Sequence, residues 1–393
     1  MYKSIFLKRG KEESLKRFHP WIFSGAINRM DEGIEEGETV RVFTSAGDFI
    51  AIGHYQIGSI AVRVLSFRDI VIDQNFWQSR LQSALNMRIA VGIADNESNN
   101  TYRLVHGEGD SLPGLVIDCY GETAVMQAHS VGMHVDRMEV CKALQVVMGD
   151  RIKNVYYKSE TTLPFKADLR QENGFIVGGD ADNVAVENGL KFHIDWLRGQ
   201  KTGFFVDQRE NRSLLEHYAK GKSVLNMFCY TGGFSVYAMR GNAKLVHSVD
   251  SSAKAIELTN ENIALNFPGD ARHEAFCEDA FKYLDEHDQQ YDLIILDPPA
   301  FAKHRAALRN ALKGYTRLNV KGLQRIKHGG ILFTFSCSQV VSKDNFRNAV
   351  FTAAAQAGRK VRILHQLHQP ADHPINIYHP EGEYLKGLVL YVE

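Results

Sequence analysis

From about residue 190 onward, apolar runs of strand length alternate with stretches of helical spacing, and that rhythm commits the region to an α/β fold with a mostly parallel sheet. "SVLNMFCY" reads as a first strand, and "GGFSVYAMR" opens the helix behind it. "LVHSVD", "HEAFCED", "YDLIILD" and "GGILFTFSCS" supply four more strands, with the helix "SSAKAIELTNENIALN" between the second and third. The helix "DNFRNAVFTAAAQAG" and the strands "VRILHQL" and "EYLKGLVLYVE" complete the region.

Open sheets of this kind take ligands at the carboxyl ends of their strands, so the residues there carry the functional information. The first strand runs into Tyr230, Thr231, Gly232 and Gly233. Glycines at such a turn admit a ligand to the backbone, and the helix start behind them favours an anionic group. The second strand ends in Asp250, about 20 residues on, where an acid holds ribose hydroxyls. The third ends at Asp279, the fourth at "DPPAF" (Asp297 to Phe301) and the fifth at Cys337. Taken singly, "YTGG" reads equally as a tight turn lacking the full G-x-G-x-x-G, and Asp250 equally as a helix cap. Four markers in order, with paired prolines that make poor core material, point together to a nucleotide-type cofactor site.

At 393 residues the chain exceeds what one hydrophobic core supports, and three regions are expected. Residues 1–72 hold short runs such as "TVRVFT", "FIAIGHY" and "IAVRVLSF" between Gly-bearing turns, which predicts a small β-barrel. Residues 73–182 begin with a helix in which Phe76, Leu81, Leu85 and Ile89 recur about every four residues. Three strand-like runs, a helix and a further strand make the rest an α+β unit. The glycine-rich "ENGFIVGGDADNVAVENG" predicts a hairpin and exit linker into residues 183–393.

The charged N-terminal segment argues against a secretory signal, and no apolar run reaches membrane-spanning length. Five cysteines, none in a C-x-x-C pair, suit a reducing compartment and leave neither a disulfide framework nor a zinc site in prospect. A cytoplasmic protein without a membrane partner is the expectation. Cys119, Cys141, Cys229 and Cys277 lie within apolar strands or a helix and read as core thiols. Cys337 differs, because serines flank it and its strand is ending.

Formal net charge is zero, but the charge is segregated. Residues 1–29 carry Lys3, Lys8, Arg9, Lys11, Lys16, Arg17 and Arg29 against only Glu12 and Glu13. Residues 299–327 carry Lys303, Arg305, Arg309, Lys313, Arg317, Lys321, Arg325 and Lys327 with no acid. Such patches are the footprint of a phosphate-binding surface. In the second patch the four-residue spacing predicts two short basic helical seams, with Gly314 breaking the helix between them. Arg305, Arg309 and Lys313 are the candidate RNA contacts; a solvated helix face is the competing reading.

The stretches "HPWIFSGAI", "YRLVHGEGDSLPGLVIDCYG", "KTGFFVDQRENR", "NMFCYTGGFSVYA", "LDPPAFAK", "TFSCS" and "ADHPI…HPEGEYLKG" carry a resemblance. The C-terminal half resembles class I S-adenosylmethionine-dependent methyltransferases. The whole chain resembles bacterial 23S ribosomal RNA cytosine-5 methyltransferases built from PUA, EEHEE and Rossmann-like domains, which implies those three domains for residues 1–72, 73–182 and 183–393. The resemblance also implies S-adenosylmethionine as cofactor and ribosomal RNA as partner; a homodimer is compatible with it. By the same token Phe204, Asp207 and Arg209 cover the cofactor and Tyr230, Thr231 and Gly232 form its loop. Asp250 takes the ribose, Asp279 lies near the adenine, and Asp297 lies between cofactor and target base. Strand packing is the alternative reading of Phe204 and Phe205. Trp21 and Phe23 stack on bases or, on the favoured reading, fill the barrel core, and His373 either lines the pocket or stabilises its loop.

Carbon 5 of cytosine is a poor nucleophile, so its methylation needs a thiolate that first adds to C6. Cys337 is the candidate nucleophile and Asp297 the candidate group to hold the ring. The second cysteine that other RNA cytosine-5 methyltransferases carry in the "DPP" region is absent, since Ala300 and Phe301 stand there, and the base that removes the C5 proton is unassigned. Two alternatives remain at this stage. One is an N-methyltransferase acting on adenine or guanine of RNA, whose D-P-P-Y turn "DPPAF" resembles. The other is a catalytically inactive RNA-binding ribosome assembly factor.

Overall fold

The computed structural model describes the chain except Met1, residues 165–168, Arg170, Gln171, Asp180 and Lys303. Lys303 of the basic run and Asp180 of the expected linker therefore lie outside the described residues. The chain forms two compact units. The first comprises 1–189, 194–206 and 371–382, and the second 190–193, 207–370 and 383–393.

In the first unit, six strands between Lys3 and Ser66 form one sheet whose edges are Trp21–Phe23 and Ile27–Met30. Those two edges are joined by the single turn Ser24–Ala26. A flat six-stranded sheet would hold its edges about 24 Å apart, more than so short a link spans. The sheet must therefore curl back towards a barrel around Ile5, Leu7, Val40, Val42, Val62 and Val64. Phe23 does not join that core: it is 49% exposed. Trp21 is half-buried, and its indole donates to Glu108 (2.8 Å).

The second sheet of this unit has five strands, 101–106, 115–120, 123–128, 154–157 and 174–177. Gly174–Val177 pairs with Asn154–Tyr157 and not with Val184–Glu187, so the two strands of the glycine-rich stretch form no hairpin with each other. The helix Gln74–Ala90 buries Phe76, Trp77, Leu81, Ala84, Leu85 and Arg88, whereas Ile89 is exposed. Each four-residue step drifts about 40° around a helix, and by Ile89 the row has left the buried stripe.

The second unit holds one seven-stranded sheet. Its strands are β1 (Ser223–Met227), β2 (Leu245–Asp250), β3 (His273–Cys277), β4 (Tyr291–Leu296), β5 (Ile326–Ser336), β6 (Val361–Leu367) and β7 (Lys386–Val392). The spatial order is β3-β2-β1-β4-β5-β7-β6. β1 to β5 are parallel, and β7 runs antiparallel to both its neighbours. Six helices accompany the sheet: α1 (Arg209–Ala219), α2 (Gly233–Arg240), α3 (Ala253–Asn266), α4 (Ala280–Glu286), α5 (Leu308–Arg325) and α6 (Lys343–Gln356). β1 is buried at every residue, as a strand covered on both faces must be. The strand order reverses between β1 and β4, and the crevice at such a reversal is where open α/β sheets bind ligands.

Two local expectations fail here. Helix α5 runs unbroken through Gly314, because a Cβ there would sit 3.0 Å from the Phe301 ring; the glycine serves close packing, not termination. Cys277 is exposed at the end of edge strand β3, whereas Cys119, Cys141 and Cys229 are buried. An edge strand leaves one side uncovered, so an apolar-looking run there does not imply burial.

Candidate active site

The loop after β1 is built by its backbone. Phe228, Tyr230 and Gly232 all take positive φ, and at Gly232 (φ 74°) an added Cβ would lie 2.7 Å from Thr259 Cγ2. Helix α3 ties the loop from below: Thr259 Oγ1 donates to the Tyr230 carbonyl and Asn262 Nδ2 to that of Thr231, each at 2.9 Å. Asp250 accepts from the Tyr230 amide (3.0 Å) on one oxygen and the Ser252 amide (2.9 Å) on the other. Each carboxylate oxygen keeps a lone pair for a further donor such as a hydroxyl. Asp279 spends one oxygen capping α4, accepting from the amides of Phe281 and Lys282 (both 3.0 Å).

The carboxyl ends of β4 and β5 are latched together. Tyr315, on α5, reaches both serines around Cys337: its hydroxyl lies 2.9 Å from Ser336 Oγ and 3.0 Å from Ser338 Oγ. Ser338 Oγ also accepts from the Ala302 amide (3.3 Å), just past "DPPAF", and the Phe301 ring packs on Tyr315 at 4.7 Å. The two serines are buried and Cys337 is half-exposed. The polar neighbours that mark the cysteine in the sequence are thus the anchors, and Cys337 between them keeps some exposed surface.

Asp297 follows directly on β4. It accepts from Gln208 Nε2 (2.9 Å), and Gln208 is fixed in turn by Asn211 Nδ2 (2.6 Å). The carboxyl is pushed up to about 7, first by burial and then by the neighbouring charge of Asp207, although the residue keeps some exposed surface. Asp207 accepts from the Tyr384 hydroxyl (2.7 Å), while its second oxygen is buried with no hydrogen-bond partner among the described residues.

Residues 176–378 match the S-adenosylmethionine-dependent methyltransferase family, and residues 5–67 match a PUA-like domain. The chain belongs to that methyltransferase family. Proteins named ribosomal RNA large subunit methyltransferase I are similar along the whole length. The one from Alteromonas mediterranea is 40% identical over 398 aligned positions, covering 100% of this chain and 99% of its own. The one from Aeromonas hydrophila is 39% identical, covering 99% of each. Among solved structures, a Streptococcus mutans chain described as a SAM-dependent methyltransferase superposes with a TM-score of 0.84 over 100% of both chains at 24% identity, which establishes the shared fold.

The methyltransferase's own residues fit the cofactor. Two neighbouring carboxylates, one with a buried oxygen that has no hydrogen-bond partner among the described residues and the other raised to about 7, call for a cation, and S-adenosylmethionine carries an ammonium and a sulfonium. Asp207, Asp250 and Asp297 and the Tyr230–Gly232 loop, all of the second unit, are groups that could hold it. Arg209 is buried at the start of α1. Phe204 falls in the first unit, buried in an irregular segment and not in a strand, with its carbonyl accepting from Tyr120 (3.4 Å). His373 also belongs to the first unit and is buried beside Asp372 (3.0 Å). Gln208, Asn262, Thr259 and Tyr315 were not among the sequence candidates; the only trace of the first is its place inside "KTGFFVDQR".

The basic run divides in two. Lys321 pairs with Asp285 and Arg325 with Asp288. Arg305, in the turn before α5, and Arg309 and Lys313, along its first half, are exposed and have no ion-pair or hydrogen-bond partner among the described residues. Arg309, Lys313, Asn345, Asn348 and Thr352 line a groove of about 590 Å³ between α5 and α6.

Proposed function

We propose that this enzyme methylates C5 of a cytosine in 23S ribosomal RNA, through a covalent bond between Cys337 and C6 of the base, in the cytoplasm. The observation that carries the proposal is the partly exposed Cys337 between two anchored serines, directly after β5, which pairs in parallel with the strand that Asp297 directly follows. When bound, S-adenosylmethionine supplies a methyl group made electrophilic by its sulfonium. The Cys337 thiolate adds to C6, so that the S–C6 bond forms and the ring's electrons become available at C5. After C5 gains the methyl group, its proton leaves to a base, the S–C6 bond breaks, and the thiolate returns. Burial and the charge of Asp207 raise the Asp297 carboxyl from its ordinary range, which favours its protonated form, and in that form it donates to the ring nitrogen that gains charge during addition.

Three features support RNA as the substrate: the relatives' name, the PUA-like match, and the unpaired cations Arg305, Arg309 and Lys313 at the start of α5. Because α5 follows the "DPPAF" loop, those cations sit at the end of the sheet that holds Cys337. The test is transfer of labelled methyl groups onto unmodified ribosomal RNA, followed by nucleoside analysis. Wild type should yield 5-methylcytosine, and Cys337→Ala should yield none while still binding the cofactor. An N-methylated purine that persists in the variant would overturn the proposal in favour of an N-methyltransferase. Cofactor binding by the wild type without transfer would favour an assembly factor.

A further inference from the structure

A second residue converges on Cys337 from the far end of the chain. β7 lies antiparallel to β5 with Lys386 directly opposite Ser336, so both side chains stand on one face of the sheet. On that face Ser336 meets Tyr315, and Lys386 extends past residue 337 to donate from Nζ to the Ser338 carbonyl at 2.7 Å. Lys386 is only 5% exposed. An ammonium has three donors, and this carbonyl is the one acceptor it meets among the described residues. No carboxylate there lies within ion-pair distance of it: nearby Glu383 is paired with Lys343. A buried cation without a counter-ion is costly, and proteins rarely keep one idle.

Resting on the reading of Cys337 as nucleophile, we propose that Lys386 is the positioning residue that supplies this counter-charge relationship: its ammonium holds Cys337 as a thiolate. Titratable and charged groups described near the pair come from three elements. Tyr315 comes from α5, and Glu383 and Lys343 form their own pair. Burial pulls Lys386 down to about 8, and Cys337, when ionised, is the strongest influence opposing that fall, which places the two groups within electrostatic reach of each other. Tyr315 feels the same charge, which contributes to raising its phenol. An ordinary cysteine near 8.5 is only a small part thiolate at neutral pH, and an ammonium beside a thiol favours its ionised form.

The experiment follows alkylation of Cys337 by iodoacetamide against pH in the full-length protein, read at the level of its own peptide so that exposed Cys277 does not contribute. Lys386→Gln keeps a donor for the Ser338 carbonyl and removes the charge; Lys386→Arg keeps the charge. The wild-type midpoint should lie below that of an ordinary thiol. In Lys386→Gln it should rise by about one unit, slowing alkylation about tenfold near pH 7, with the high-pH plateau unchanged. Lys386→Arg should restore most of the shift. An unshifted midpoint in Lys386→Gln, in protein that still binds S-adenosylmethionine, would overturn the proposal. If Lys386→Gln does not fold, Lys386→Arg decides alone: a midpoint at the ordinary thiol value would reject the charge effect. Failure of the nucleophile reading shows separately, as methyl transfer that survives Cys337→Ala.

Discussion

Replacing Asp297 by Asn should stabilise the catalytic unit while abolishing its chemistry. The wild-type carboxyl is raised from 3.8 to about 7, a gap of about three units, and at about 1.4 kcal/mol per unit the ceiling on its ionisation cost is about 4 kcal/mol. The residue is partly exposed, so water screens some of this, and roughly 1–3 kcal/mol is the expected effect. The sign follows from proton binding. Between 3.8 and about 7 the folded state holds a proton that the unfolded state has already lost, so this group makes stability fall as pH rises through that window. The cost is close to zero below about pH 4 and complete above about pH 7. The amide oxygen of Asn still accepts from Gln208, so the substitution removes charge and its repulsion from Asp207 without orphaning a donor. The assay is urea-dependent hydrogen exchange of β4 amides, because two compact units would blur a global midpoint. At about pH 8 the variant should be the more stable protein, and the difference should vanish at about pH 4. A gap that is absent at pH 8, or that does not change with pH, would refute the argument.

Gly232→Ala should lower the melting temperature and weaken S-adenosylmethionine binding about tenfold by calorimetry, since left-handed backbone costs a side chain about 1–2 kcal/mol and its Cβ meets Thr259; unchanged affinity would show that the loop tolerates distortion. Charge reversal of Arg305 and Arg309 together should flatten the salt dependence of RNA binding by about one to two units of slope, and an unchanged slope would make them a merely solvated face.

The polar markers at the ends of β1 to β5 were legible because parallel strands are covered on both faces, so an acid, a glycine pair or a proline pair appears only where the strand leaves the core. That logic put Asp250, Asp297 and Cys337 at strand ends, where the fold has them. It could not say which flanking groups face in: Ser336 and Ser338 are the buried anchors, and Cys277, on the uncovered edge strand, lies exposed. Phe23 likewise has the composition of a core residue and lies at the edge of a curled sheet. Gly314 has the composition of a break and in place is a clearance for Phe301, which depends on a neighbour the helix pattern does not contain.

Lys386 shows the deeper limit. Its stretch, "EYLKGLVLYVE", reads as an ordinary final strand, and nothing in its spacing points to Cys337. Sequence determined that β5 and β7 would both be strands, because alternation and apolar runs are properties of each segment alone. Only the fold decided that β7 would insert antiparallel beside β5 with Lys386 opposite Ser336. Register is a relation between two segments, fixed by the packing of both on a common core, and a one-residue slip would have turned the ammonium to the other face.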